Sequence, residues 1–280
     1  MKSVSIIIPS YNGKKLLEKH LPAVTACMRK GDELLIIDDA SSDDTVQWLK
    51  NKKNIKVISN KKNLRFAATV NKAVKLAKHD LVFLINNDVA PHKDCLKYLL
   101  THFDDKKTFA VGCQEIEEAG ILGGKNKLEF KRGIFVHSRA KEFSSGETAW
   151  ASGGSAIFDR KKWLKLKGFD LDYYPAYWED IDLSFRARRK NWKIFFESKA
   201  KVDHKHETTN KMAFGIRKMR IMSVKNSLVF LWKNASFLQK LMHLLWLPYH
   251  LTVTNMKMQG IFLAGFISFF HKADLESGKF

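Results

Sequence analysis

Short apolar runs alternate along the chain with longer stretches of helical spacing. Three of the runs stop at polar residues: 4–9 at Ser10-Tyr11-Asn12, 33–37 at Asp38-Asp39, and 81–85 at Asn86-Asn87-Asp88. Apolar runs bounded in this way suit strands covered on both faces. Between them, residues 14–30 carry Leu16, Leu17, Leu21, Val24 and Met28 at helical spacing before Gly31. Residues 63–78 repeat the pattern with Phe66, Ala67, Val70, Val74 and Ala77, and Ser41-Ser42-Asp43-Asp44 opens a shorter helix with capping residues. Further strands are predicted at 55–59, 109–113, 156–158, 193–196 and 199–202, and further helices over 91–100 and from Glu179 onward. The order predicts an α/β fold with a mostly parallel sheet flanked by helices. Ligands of such sheets sit beyond the carboxyl ends of the strands, so Tyr11, Asp38, Asp39 and Asp88 are expected to converge on one crevice.

Carboxylates gathered in one place repel unless something compensates. A divalent cation carrying a phosphorylated ligand is the simplest compensation; the plainer reading is that Asp38 and Asp39 cap the following helix. Arg65, at a helix entrance, is placed either to reach a base or phosphate or to sit solvated on the surface. Gly153 and Gly154 let backbone amides approach a ligand, or simply turn the chain into a strand. The aromatic stretch 173–178 runs into Glu179 and Asp180 at a helix start. Aromatic faces beside a carboxylate fit a sugar ring and a hydroxyl awaiting deprotonation, and they fit equally an acidic cap beside a buried cluster. His204 and His206 stand at a strand end, as metal or phosphate contacts or as ordinary histidines. Residues 115–143 carry scattered glycines and mixed charges, and no chemistry is assigned to them.

Composition narrows the partners. The formal charge is +20, from 49 Lys and Arg against 29 Asp and Glu, which calls for an anionic partner: nucleic acid, acidic lipid or a diphosphate. At 280 residues with 45% hydrophobic content, the chain holds a domain of about 200 residues and a smaller annex. Cys27, Cys95 and Cys113 show neither a disulfide framework nor metal-ligand spacing, which fits a reducing compartment, and strand-like sequence directly after Met1-Lys2 leaves no secretory signal, so a cytoplasmic location is expected. From about residue 216 bases and large apolar residues dominate, in uncharged stretches shorter than a bilayer span. That composition predicts amphipathic helices on an anionic membrane surface, with a re-entrant hairpin or a helical cap on the preceding domain as alternatives.

Taken together, Asp38-Asp39, Asn86-Asn87-Asp88 and Trp178-Glu179-Asp180 make residues 3–215 resemble the family 2 glycosyltransferases of GT-A fold, in particular bacterial rhamnosyltransferase-like and other polysaccharide-building members. The resemblance implies a GT-A (Rossmann-like) catalytic domain at 1–215, and the composition beyond it a C-terminal helical, membrane-associating segment at 216–280. It implies Pro9, Tyr11, Asp38, Asp39, Arg65 and Asn87 on the nucleotide, Gly153, Gly154 and Trp178 near donor sugar and acceptor, and Asp180 as catalytic base beside Glu179. Asp88 becomes the metal-binding acid, with His204 or His206 completing a Mg or Mn site. Two positions depart from the pattern: Asn86 replaces the first acid of the Asp-x-Asp motif, and Arg65 stands where many relatives carry Gly.

The activity so implied is inverting transfer of a hexosyl or deoxyhexosyl group from a nucleotide-diphosphate sugar, UDP- or dTDP-linked, to a hydroxyl of a glycan or lipid-linked acceptor. The setting is cell-surface polysaccharide synthesis at the inner face of the cell membrane, with no nucleic-acid partner expected. A nucleotidyltransferase shares the sheet and metal logic, but a Gly-rich phosphate loop with a following Lys is missing near the first strand. A non-catalytic nucleic-acid- or lipid-binding protein would fit the charge while leaving the three carboxylate clusters unexplained.

Overall fold

The computed structural model describes residues 2–204 and 209–271, the side chains of 209–214 excepted. The chain divides into two compact units: Met1–Lys127, Arg139–Asp170 and Asp180–Glu207 form the first, and Leu128–Ser138, Leu171–Glu179 and Thr208–Phe280 the second. The second unit therefore takes in two segments that precede residue 216.

The strands in chain order are β1 (Val4–Ser10), β2 (Glu33–Asp38), β3 (Lys56–Ser59), β4 (Leu81–Ile85), β5 (Val89–Pro91), β6 (Thr108–Ile116), β7 (Leu122–Gly123), β8 (Asn126–Lys131), β9 (Ile134–Arg139), β10 (Gly146–Glu147), β11 (Ser155–Asp159) and β12 (Lys193–His204). Ten of them form the sheet of the first unit in the order β10-β12-β6-β11-β4-β1-β2-β3, with β5 on β12 and β7 on β6. The pairs β1/β2, β1/β4, β2/β3 and β6/β12 are parallel, whereas β11 runs antiparallel to both β4 and β6. The register aligns Ser10 with Asp38 and Asp38 with Ser59, so three polar strand ends share one rim.

Alternation along the strands sends side chains to two cores. Val4, Ile6, Ile8, Phe83 and Ile85 pack with Leu17, Leu21 and Val24 of α1 (Lys14–Cys27) and with Leu96 and Leu99, which lie on α4 (Cys95–Leu100). Ile7, Leu35, Ile37, Val82 and Leu84 face Val70 and Val74 of α3 (Arg65–Leu76), Trp163 of α5 (Arg160–Lys165) and Leu183 of α6 (Glu179–Arg188). The short α2 (Thr45–Lys50) lies between β2 and β3 in the chain. Each fully buried aliphatic side chain contributes about 1.5–3 kcal/mol, which holds the sheet from both sides. Cys27, Cys95 and Cys113 lie within the first core, unbridged; burial pushes the Cys27 thiol up to about 12 and raises that of Cys113 as well.

Two expectations change. Pro91 does not open a helix: it ends β5, an antiparallel partner of β12, and the helix starts only at Cys95. The strands expected at 193–196 and 199–202 are one strand, β12, with a register shift between Glu197 and Lys201.

The second unit holds most of the β8/β9 hairpin and the helices α7 (Thr209–Asn234), α8 (Phe237–Tyr249), α9 (Asn255–Lys257) and α10 (Ile261–Phe270), with a π-helical turn at His250–Thr254. Gly215, at φ 71°, breaks the helical course of α7, and Ser236 and Gln239 form a reciprocal capping box at the start of α8. The hairpin tip is tied to α8 and the π turn: the Gly133 carbonyl lies 2.9 Å from His243 Nδ1 and the Arg132 carbonyl 2.7 Å from His250 Nε2. Residues 209–271 contain no Asp or Glu. Phe237, Leu245, Met256 and Phe270 are 65–85% exposed, yet among the described residues no helix is long and apolar enough to cross a membrane.

Candidate active site

At the β1–β2 rim the acidic groups are occupied by the chain itself. Asp38 is buried, with one carboxylate oxygen accepting the Ser41 amide at 3.0 Å and the other the Ser41 hydroxyl. Asp39 is buried too: Oδ1 accepts from the Leu64 amide, Asn60 Nδ2 and Thr69 Oγ1, and Oδ2 from the Arg65 amide, all at 2.8 Å. Asp39 thus caps α3, two helices downstream, while the start of α2 is organised by Asp43, whose Oδ1 accepts from the Thr45 amide at 3.1 Å. Pro9 pairs with Ile37 across β1/β2, and Tyr11 follows in the bend, half-buried. Arg65 is the first residue of α3 and lies at φ 67°, a left-handed conformation that glycine adopts without penalty.

The β4 rim is different. The Asn87 Nδ2 donates to Ser10 Oγ at 3.2 Å, joining β4 to β1 beside Gly13, where a Cβ would stand 2.4 Å from that nitrogen. Asn86 donates its amide to the Gly154 carbonyl at 2.9 Å, and a Cβ on Gly154 would stand 2.4 Å from the Asn86 side-chain nitrogen. The Asn86 side chain therefore depends on glycine at 154. Pairing of His204 with Val89 brings His204 beside Asp88: Nε2 lies 3.5 Å from Asp88 Oδ1, and Nδ1 lies 3.6 Å from Glu115 Oε2. Glu115 in turn accepts the Ser155 hydroxyl on Oε1. Burial alone would lower the His204 imidazole; Asp88 and Glu115 outweigh it and raise it to about 10.

Asp180 joins this group from α6. Its Oδ2 accepts the Gly153 amide at 3.2 Å and its Oδ1 the Ile181 amide at 2.8 Å. Burial pushes the carboxyl up to about 6 against the pull of those two amides, and the charge of Glu115 adds to the rise. Such a carboxyl is still mostly ionised at neutral pH, yet more basic than an ordinary aspartate, which suits it to accept a proton. Glu179, the residue before it, is buried and falls in the second unit.

Trp178 corrects the picture of an aromatic platform. It is 4% exposed, its indole donates to Ser223 Oγ at 3.4 Å, and its ring packs against His137 and Phe230 at centroid distances of 5.2 Å. Aromatic residues beside acids look the same in sequence whether they face a ligand or a core.

Asp38, Asp88, Gly153, Gly154, Asp180 and His204 thus belong to one unit, Asp180 at the start of α6 and the others at strand ends or turns of one sheet, whereas His206 lies outside the described residues. Sequence reasoning missed Glu115 and Ser155, whose only signal is that β6 and β11 are sheet neighbours, with Ala156 opposite Gly112. A carboxylate oxygen and an imidazole nitrogen are donors that Mg or Mn accepts, and Asp88 and His204 supply one of each here. Among the described residues no three such groups already converge into a formed metal cluster.

Known proteins resemble the chain over most of its length. The O-antigen chain rhamnosyltransferase RfbN of Salmonella typhimurium is 25% identical over 285 residues, covering 92% of this chain and 88% of that one. Staphylococcus aureus TarS, residues 1–349 in complex with UDP-GlcNAc, superposes with a TM-score of 0.64 at 17% identity, over 96% of this chain and 81% of that one. The mannosyltransferase PcManGT of Pyrobaculum calidifontis, in complex with GDP-Man and Mn2+, gives 0.61 at 15% identity, over 96% and 87%. The two structural likenesses establish the GT-A fold. The model of the "Glycosyl transferase family 2" matches residues 5–166, more than half of the sequence, and the chain belongs to that family.

Proposed function

We propose that the chain transfers a sugar, with inversion, from a UDP- or dTDP-linked donor to a hydroxyl of a glycan or lipid-linked acceptor in the building of a cell-surface polysaccharide. The observation that carries this reading is Asp180, a carboxyl raised to about 6 and held by the Gly153 amide at the same sheet as Asp88. Asp180 takes the acceptor proton as the oxygen attacks the anomeric carbon from the face opposite the diphosphate. Gly153 and Gly154 keep side chains out of that approach. Pro9, Tyr11, Asn87 and the Asp38 turn border the nucleotide, with Arg65 at its edge. Asp39 acts there through the α3 entrance it caps.

Asp88 would hold a Mg or Mn ion, and His204 would join it only by giving up the proton that Asp88 and Glu115 stabilise in the free protein. When bound, that ion neutralises charge on the leaving diphosphate. Residues 1–215 serve as the catalytic domain. The exposed apolar side chains of α8 to α10 and the absence of acids over 209–271 support residues 216–280 as the segment that associates with the inner face of the cell membrane.

Calorimetric titration with UDP, dTDP, GDP and ATP, each with Mn2+ and then with chelator, tests the reading. Metal-dependent binding of UDP or dTDP is expected; absence of binding by all four nucleotides would sink it.

A further inference from the structure

Glu115 has no role in the reading above, although it is only 7% exposed and sits among the groups that do. Its two oxygens point to different partners: Oε1 receives the Ser155 hydroxyl, and Oε2 lies 3.6 Å from His204 Nδ1. The opposite ring nitrogen of His204 lies 3.5 Å from Asp88. Glu115 is thus one end of a carboxylate–imidazole–carboxylate row, and two strands and a turn supply its members: β6, β12 and the turn after β4. Gly123 pairs with Glu115 across β6/β7.

An imidazole whose two nitrogens face different acceptors is fixed in rotation, and the partner on the far nitrogen sets which face the near nitrogen presents. We propose that Glu115, braced by Ser155, is a positioning residue of the transfer site, holding the His204 ring so that Nε2 faces Asp88. Asp88 and His204 then form a preorganised edge for the donor diphosphate, which ties the proposal to the transferase reading. Glu115 itself touches neither sugar nor acceptor in this scheme.

The test uses the full chain with Glu115→Gln, which keeps the shape and removes the charge, and Ser155→Ala, which removes only the brace. Long-range proton–nitrogen NMR spectra of the histidine rings, taken on the free protein at one pH with His204 identified by His204→Asn, report the ring directly. Both substitutions are expected to move the His204 signals, Glu115→Gln the more, while those of His243 and His250 stay in place. Unmoved His204 signals in both variants overturn the proposal. In transfer assays with UDP- and dTDP-sugars, Glu115→Gln is expected to lower kcat roughly 10–100-fold with donor KM within about threefold. Wild-type kcat in that variant also overturns it. If the wild type itself transfers nothing while the His204 signals still move, the transferase reading fails and the positioning of His204 by Glu115 stands.

Discussion

At the ends of β1 and β2 the carboxylates are met by the chain's own amides and hydroxyls, whereas at the ends of β4, β6 and β12 they are met by a single imidazole. Asp39 accepts four hydrogen bonds from the segment after β3 and the start of α3, and Asp38 two from Ser41 in its own turn. Asp88 and Glu115 instead share His204, and Asp180 keeps a raised carboxyl. A buried acid whose lone pairs are all met by the chain, with no other titratable group beside it, holds the fold; one that also faces other titratable groups, as Asp180 faces Glu115, is held ready for something that arrives. The difference predicts that substitutions in the first set cost stability and those in the second cost turnover.

The largest effect is expected from Asp180→Asn, which should lower transfer roughly 10²–10⁴-fold while donor binding by calorimetry is retained. A variant within threefold of wild type would remove Asp180 from the role of base. Next comes Asp39→Ala. Losing the α3 cap and leaving Asn60 and Thr69 without their acceptor should destabilise the protein by about 2–4 kcal/mol in urea unfolding, with residual kcat preserved in the folded fraction. An unfolding midpoint equal to wild type would place Asp39 among the responsive acids instead.

A pH series sharpens the contrast further. Because Asp180 is raised to about 6 from an ordinary value near 3.8, its contribution to stability is complete below pH 3.8 and is lost as pH rises through 6. Transfer runs the other way, falling about tenfold per pH unit below 6 as the base is protonated. Asp180→Asn should flatten this part of the stability curve, measured as melting temperature against pH; a wild-type slope in the variant would assign the titration to another group. The smallest effect is expected at the α3 entrance, where Arg65→Gly relieves the left-handed φ of 67° and should raise stability by up to about 1 kcal/mol. Any accompanying rise in donor KM would measure what the guanidinium adds to nucleotide binding.

The strands that stop at Asp38 and Asp88 were legible because each run becomes polar where its strand leaves the sheet, and that transition is local. The pairings that complete the site are not local. His204 reaches Asp88 only because β5 is a strand, and Pro91 within it reads in sequence as the first residue of a helix. Glu115 was illegible for the same reason: its neighbours Ser155 and His204 lie 40 and 89 positions away, and nothing within β6 marks it. Trp178 misled because burial depends on Phe230 and His137, far from the motif that precedes Asp180.

The three cysteines have a practical consequence. Each is sunk in the core, and burial holds two of the thiols well above neutrality, so the native protein offers alkylating reagents almost no thiolate. A cysteine introduced at the exposed Phe237 would then be modified alone, without first removing the native ones. A polarity-sensitive fluorophore attached there would change its emission on contact with lipid vesicles, and would do so in a chain whose catalytic sheet is untouched.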